Sequence, residues 1–130
     1  MKPHLKGLTK TQIANLHKLA MYLLDEKNLK AEFDMELFSD APEDAHVCGS
    51  IGCAVGHGPY AGIIKKEKTW RGYCFNAFGI ERDSCEWWYL FTARWCDFDN
   101  TPKGAARRII RFLSSGVPEG FKEPSKEFIL

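Results

Sequence analysis

The chain has 130 residues, 45% of them hydrophobic and 13% aromatic, so it can bury roughly two-thirds of its unfolded surface as one domain and is no disordered tail. Eighteen Lys and Arg stand against seventeen Asp and Glu, a formal net charge of +1, which excludes a histone-like arm or a polybasic anchor. No apolar run approaches a bilayer span, and the polar start MKPHLKGLTKTQ reads as neither signal nor transit peptide, so a cytoplasmic protein without membrane attachment is expected.

In chain order, the first helix is the clearest. Thr9 and Gln12 form a capping-box pattern, and Ile13, Leu16, Ala20 and Leu23 recur at helical spacing, widened by Leu19 and Leu24. The pattern runs out near Lys27 and Asn28. Phe33, Met35 and Phe38 suggest a short extended or turn segment before an exposed loop at residues 40–44. Gly, Ala, Ser and Cys then crowd residues 48–63, where a short buried helix over residues 50–56 is expected, stopped by glycines and Pro59. Residues 65–68 read as a solvated connection.

Three further helices follow. Thr69 caps one that carries Trp70, Tyr73, Cys74 and Ala77, closed by Gly79. Asp83 and Glu86 suggest the cap of the next, with Trp87, Leu90 and Phe91 on its inner side. Thr101 and Pro102 open the last as N-cap and first helical residue; Ala105, Ala106, Ile109, Ile110 and Leu113 form its apolar stripe, and Gly116 with Pro118 ends it. The expectation is one all-α domain over residues 1–130, with about five helices. Residues 1–8 and 117–130 are less regular, and a short strand or hairpin could hide at 29–38 or 60–65.

The same residues resemble a family of small bacterial and bacteriophage proteins. The resemblance rests on Asn15 to Leu23, on Phe33-Asp34-Met35 and on a Cys-Gly-to-Gly-His core from Cys48 to His57. A Trp-x-x-Leu-Phe element at Trp87–Phe91 and Thr101 to Ile109 complete it. It implies no particular activity. It implies a phage or prophage setting, and through it a protein acting on a host process, such as counter-defence against a host defence protein or sequestration of an anionic nucleotide signal.

Three constellations could carry function. The first is Cys48, Cys53 and His57, as a zinc site completed by His46 or Cys74, or as a cysteine hydrolase with His46 or His57 as base. The five cysteines contain no Cys-x-x-Cys pair, and Asp44 is the only acid nearby. Reduced, packed cysteines are therefore the expectation, with no metal, no cofactor and no catalytic residue assigned; a small enzyme or metal domain is the alternative.

The second is the basic stripe of the last helix, where Lys103, Arg107 and Arg111 are spaced i, i+4, i+8 with Arg108 alongside. Such a face can meet phosphates or carboxylates, although bulk nucleic acid is not expected at this net charge. The third is aromatic. Trp87 and Trp88 are adjacent and about 100° apart on a helix, so one is core and the other, taken as Trp88, is free to contact a ligand. Tyr60 and His57 join it in the expected contact surface. Gly56-His57-Gly58-Pro59-Tyr60 lacks the Lys-[Ser/Thr] of a phosphate loop. A non-enzymatic binding protein is the reading, with a host protein or small anionic ligand as partner and homo-oligomerisation left open.

Overall fold

A computed structural model describes residues 3–29 and 54–130. The chain is mostly α and forms one compact domain. Among the described residues there are four α-helices: α1 (Lys10–Leu24), α2 (Trp70–Phe78), α3 (Cys85–Leu90) and α4 (Pro102–Ser115). Single 3-10 turns at Pro3–Leu5, Glu26–Asn28, Val55–His57, Pro59–Ala61, Ala93–Asp97 and Lys126–Phe128 join or flank them. The 60–65 stretch contains a turn and irregular chain rather than a strand.

The helix starts follow from local chemistry. The Thr9 hydroxyl accepts from the Gln12 N–H at 3.0 Å, while the Gln12 carboxamide oxygen accepts from the Thr9 N–H at 2.9 Å, a reciprocal capping box. Thr69 and Thr101 accept from Gly72 and Gly104 in the same way, each at 3.0 Å. The cap of α3 is Ser84, not Asp83: the Ser84 hydroxyl accepts from the Trp87 N–H at 3.1 Å. Asp83 instead takes the left-handed conformation, φ 66°, which Asp tolerates better than most residues and which turns the chain into the helix.

The helix ends are equally local. Gly79 closes α2 at φ 72°, a value that disfavours any residue with a Cβ. Helix α1 stops at Leu24, a turn earlier than its apolar pattern suggests. There the Asp25 carboxylate accepts from the Asn28 side chain at 2.7 Å and its carbonyl from the Asn28 N–H at 3.0 Å, so local bonds replace helical ones.

The core gathers from all four helices. Leu16, Leu19, Ala20 and Leu23 face it from α1, Tyr73, Cys74 and Phe78 from α2, and Ala105, Ile109 and Phe112 from α4. The most extensive helix–helix contact joins α1 to α4, with α2 on another side of α1. Asn15 and Gln12 tie α1 to the end of α2, donating to the carbonyls of Ala77 (2.8 Å) and Asn76 (3.3 Å). The terminal segments are anchored rather than loose. His4 donates to the Leu113 carbonyl at 3.2 Å and packs edge-on against Phe112, while the Phe121 ring meets Tyr89 and Phe128, each at 5.1 Å.

Candidate functional site

Helix α4 presents two chemically different rows. Its inward row is apolar except for Arg108, and its outward row runs Lys103, Arg107, Ile110, Ser114, all exposed. These positions follow i, i+4, i+3, i+4 steps and so lie along one side of the helix. The packed neighbour α1 offers a matching outward row, Lys10, Ala14, His17, Met21, again all exposed. Neither helix carries a carboxylate, although the chain has seventeen Asp and Glu. Between them lies a shallow groove of about 330 Å³ lined by His17, Met21, Ile110, Leu113 and Ser114.

Of the expected cationic stripe, Lys103 and Arg107 are free to solvent and Arg111 is half-buried. Arg108 is not a surface contact. Only 1% exposed, it donates from Nη1 to the Asp99 carboxylate at 3.2 Å and lies over the Trp95 ring, 4.1 Å from its centre. Arg108 takes a position on the inner side of the helix because Asp99 and an indole face can satisfy its charge there.

Arg111 sits on the flank of α4 near Tyr89. Tyr89 is fully buried, and its hydroxyl has no hydrogen-bond partner among the described residues. Burial pushes the Tyr89 phenol above its ordinary range, against the opposing pull of Arg111 and Arg108. The phenol therefore stays neutral beside two guanidinium groups.

His57 is likewise no contact residue: it is fully buried, with its ring 6.0 Å from Tyr22 and 6.2 Å from Tyr60. Its place in a glycine-rich turn packed under α1 and α2 removes it from solvent. Tyr60 stays exposed at the edge of this ring cluster, which packs on α1. Of the tryptophan pair, Trp87 is core and Trp88 half-buried, as adjacency requires, with the Arg94 guanidinium 5.9 Å from the Trp88 ring centre. The expected contact residues thus separate into three places rather than one. Lys103, Arg107, Arg108 and Arg111 share α4, where Arg108 alone of the four is fully buried.

Cys48 and Cys53 of the cysteine–histidine constellation lie outside the described residues, as do His46, Asp44 and the segment of Phe33, Met35 and Phe38. Within residues 50–56, the described part is one 3-10 turn at Val55–His57. Of the cysteines among the described residues, Cys74 is buried, Cys96 half-buried and Cys85 exposed. Among the described residues no group of three or more His, Cys, Asp or Glu stands together as a metal site, and no helix is long and apolar enough to cross a membrane.

Two features were missed in the sequence. Ile110 reads as core by spacing, yet it is 39% exposed, because the buried side of α4 is centred on Ala105, Arg108, Ile109 and Phe112 and the next 100° step carries Ile110 past its edge. The lack of acids on both α1 and α4 was also legible, but only their packing makes one surface of the two. Comparison with protein-family models, with curated proteins and with solved structures finds no match to this chain.

Proposed function

We propose that this protein acts by binding an acidic partner protein through the outward face of α4 and its neighbour α1. The observation that supports this is the carboxylate-free pair of helices. Lys103, Arg107 and Arg111 span about 12 Å along α4, at 1.5 Å per residue, with no acid on the helix to neutralise them. Surface cations are usually interspersed with acids, and a face that lacks them favours an anionic partner over solvent ions. An extended acidic surface uses all three charges, whereas a compact nucleotide phosphate would reach only Arg107 and Arg111. In the phage or prophage setting that the motifs resemble, the partner is a host protein and the outcome is interference with a host process such as defence.

The test is a paired charge reversal. Lys103→Glu with Arg107→Glu changes two exposed side chains and should leave the melting transition within a few degrees of the parent. Capture of the host target from bacterial lysate, quantified by mass spectrometry, should fall by about tenfold or more, since each charge-assisted contact contributes about 1.5–3 kcal/mol. Protection of infecting phage in a defence-positive host should be lost in parallel. Undiminished capture and protection would remove the α4 face from the function.

A further inference from the structure

Resting on that reading, we infer that the groove between α1 and α4 is the seat for an acidic amphipathic helix of the partner protein. Charge alone would be served by lysines and arginines anywhere on the surface. Here the cations share their helix rows with apolar side chains. Met21 is 49% exposed and Ile110 39% exposed, two large aliphatic side chains standing at the surface of otherwise polar helix faces, and half-buried Leu113 lines the groove with them.

The geometry selects a helix. Two packed helices leave a furrow along their line of contact, and a third helix fills such a furrow with side chains at i, i+3 or i+4, and i+7. The groove supplies the apolar contacts for that edge. His17 lines the groove itself, and Lys103 and Arg107 precede Ile110 on the same outward row of α4 as Lys10 precedes His17 on that of α1, so both rows offer cations to Asp and Glu of the incoming helix. Within their bounds neither α1 nor α4 carries a carboxylate to repel it.

The same charges exclude other occupants. A second copy of this chain joined about a two-fold axis would set the cationic rows against each other. A lipid surface calls for a wide outward apolar face. The wide apolar face of α4, with Ala105, Ile109 and Phe112, is instead buried in the core.

The experiment uses the full chain and a labelled, helix-stapled peptide of about four turns, with Leu at the spaced positions and Glu on both flanks. Fluorescence anisotropy should show saturable binding. The peptide with Lys in place of Glu, and an unstructured polyglutamate of equal length, should bind far more weakly. Met21→Ser and Ile110→Ser change exposed positions without touching charge, and each should weaken the peptide by about tenfold, the loss expected when an aliphatic contact is removed. Leu at either position should restore binding.

Failure of the acidic peptide to bind, or equal binding of polyglutamate, overturns the groove. So does indifference to both Ser variants, association with phosphatidylcholine–phosphatidylserine vesicles that the peptide cannot displace, or self-association through Ile110 in sedimentation. The two readings separate cleanly. If Lys103→Glu with Arg107→Glu abolishes capture of the host target while the Ser variants leave it intact, the acidic partner stands and the groove falls. If the charge reversal leaves capture intact, the broader reading falls with it.

Discussion

The guanidinium of Arg108 lies 4.1 Å from the centre of the Trp95 ring, deep in the domain and inaccessible from the surface that α4 presents. Two neighbouring arginines on one helix therefore have opposite roles. Arg107 meets solvent, and Arg108 holds Asp99 and Trp95 in the core. Arg108→Ala should lower stability by about 3–5 kcal/mol, because it strands the Asp99 carboxylate and empties the space over the indole. Arg107→Ala should stay within ~0.5 kcal/mol. Urea denaturation of the two variants gives the comparison directly, and equal midpoints would contradict the placement of Arg108.

Gly104 provides a test in which packing opposes propensity. Alanine is the better helix former by about 1 kcal/mol. A Cβ at position 104, however, would run into the Asp99 carboxylate, the group that Arg108 and the Thr101 hydroxyl both bind. Gly104→Ala should therefore destabilise, with a lower thermal midpoint despite the gain in propensity. A stabilised variant would show that Asp99 is not fixed against the first turn of α4.

The buried phenols make stability fall on the alkaline side. Burial, aided by the negative charge of Glu67, pushes Tyr73 far above its ordinary range, and burial also raises Tyr89. The folded state thus keeps protons that the unfolded chain releases near pH 10. The stabilisation from each group is complete below about pH 10 and is lost as pH rises further toward the folded value. Tyrosinate absorbance from these two residues should appear only together with unfolding. Tyr73→Phe should flatten that alkaline slope. It should also cost about 1–2 kcal/mol at neutral pH, because the Tyr73 hydroxyl donates to the Ile63 carbonyl at 2.5 Å.

Cys85 lies at the surface at the start of α3, where a helix N-terminus would ordinarily favour a thiolate. Partial burial and the adjacent Glu86 instead hold its thiol above the usual range. Alkylation of Cys85 near neutral pH should be slower than that of free cysteine, and Glu86→Gln should speed it, measured by peptide mass spectrometry. A Cys85 that outpaces free cysteine would reverse this assignment.

Helix starts were legible because they depend on a few adjacent residues. Thr9, Thr69 and Thr101 each cap where their pattern places them. The displaced cap at Ser84 shows the limit, since Asp83 and Ser84 are both good caps and only the turn geometry decides between them. Burial within α4 was harder to read. Charge argues that Arg108 is outside and Ile110 inside, and the structure reverses both. Arg108 depends on Asp99 and Trp95, contributed by a 3-10 turn and loop that no helical periodicity describes. Phe112 replaces Ile110 as a core residue because it lies on the same side as Ala105, Ile109 and Arg108. The cationic row at Lys103 and Arg107 was visible from spacing alone, whereas the groove beside it needed the partner helix α1.

The pairing of α1 with α4 also fixes when the domain can close. The two helices with the largest mutual contact stand near opposite ends of the chain, from Leu24 to Pro102, and His4 adds a second link to the last turn of α4. A chain made from its N-terminus exposes the leucine face of α1 long before Ile109 and Phe112 exist to cover it. At synthesis rates of about 5–20 residues per second, that wait lasts roughly 4–18 s. Loop closure over such a separation must also precede the contacts that reward it, which slows folding relative to a bundle of neighbouring helices. Leu16, Leu19 and Leu23 are therefore the residues through which a truncated or stalled chain would aggregate, and the arrival of α4 is the event that ends that exposure.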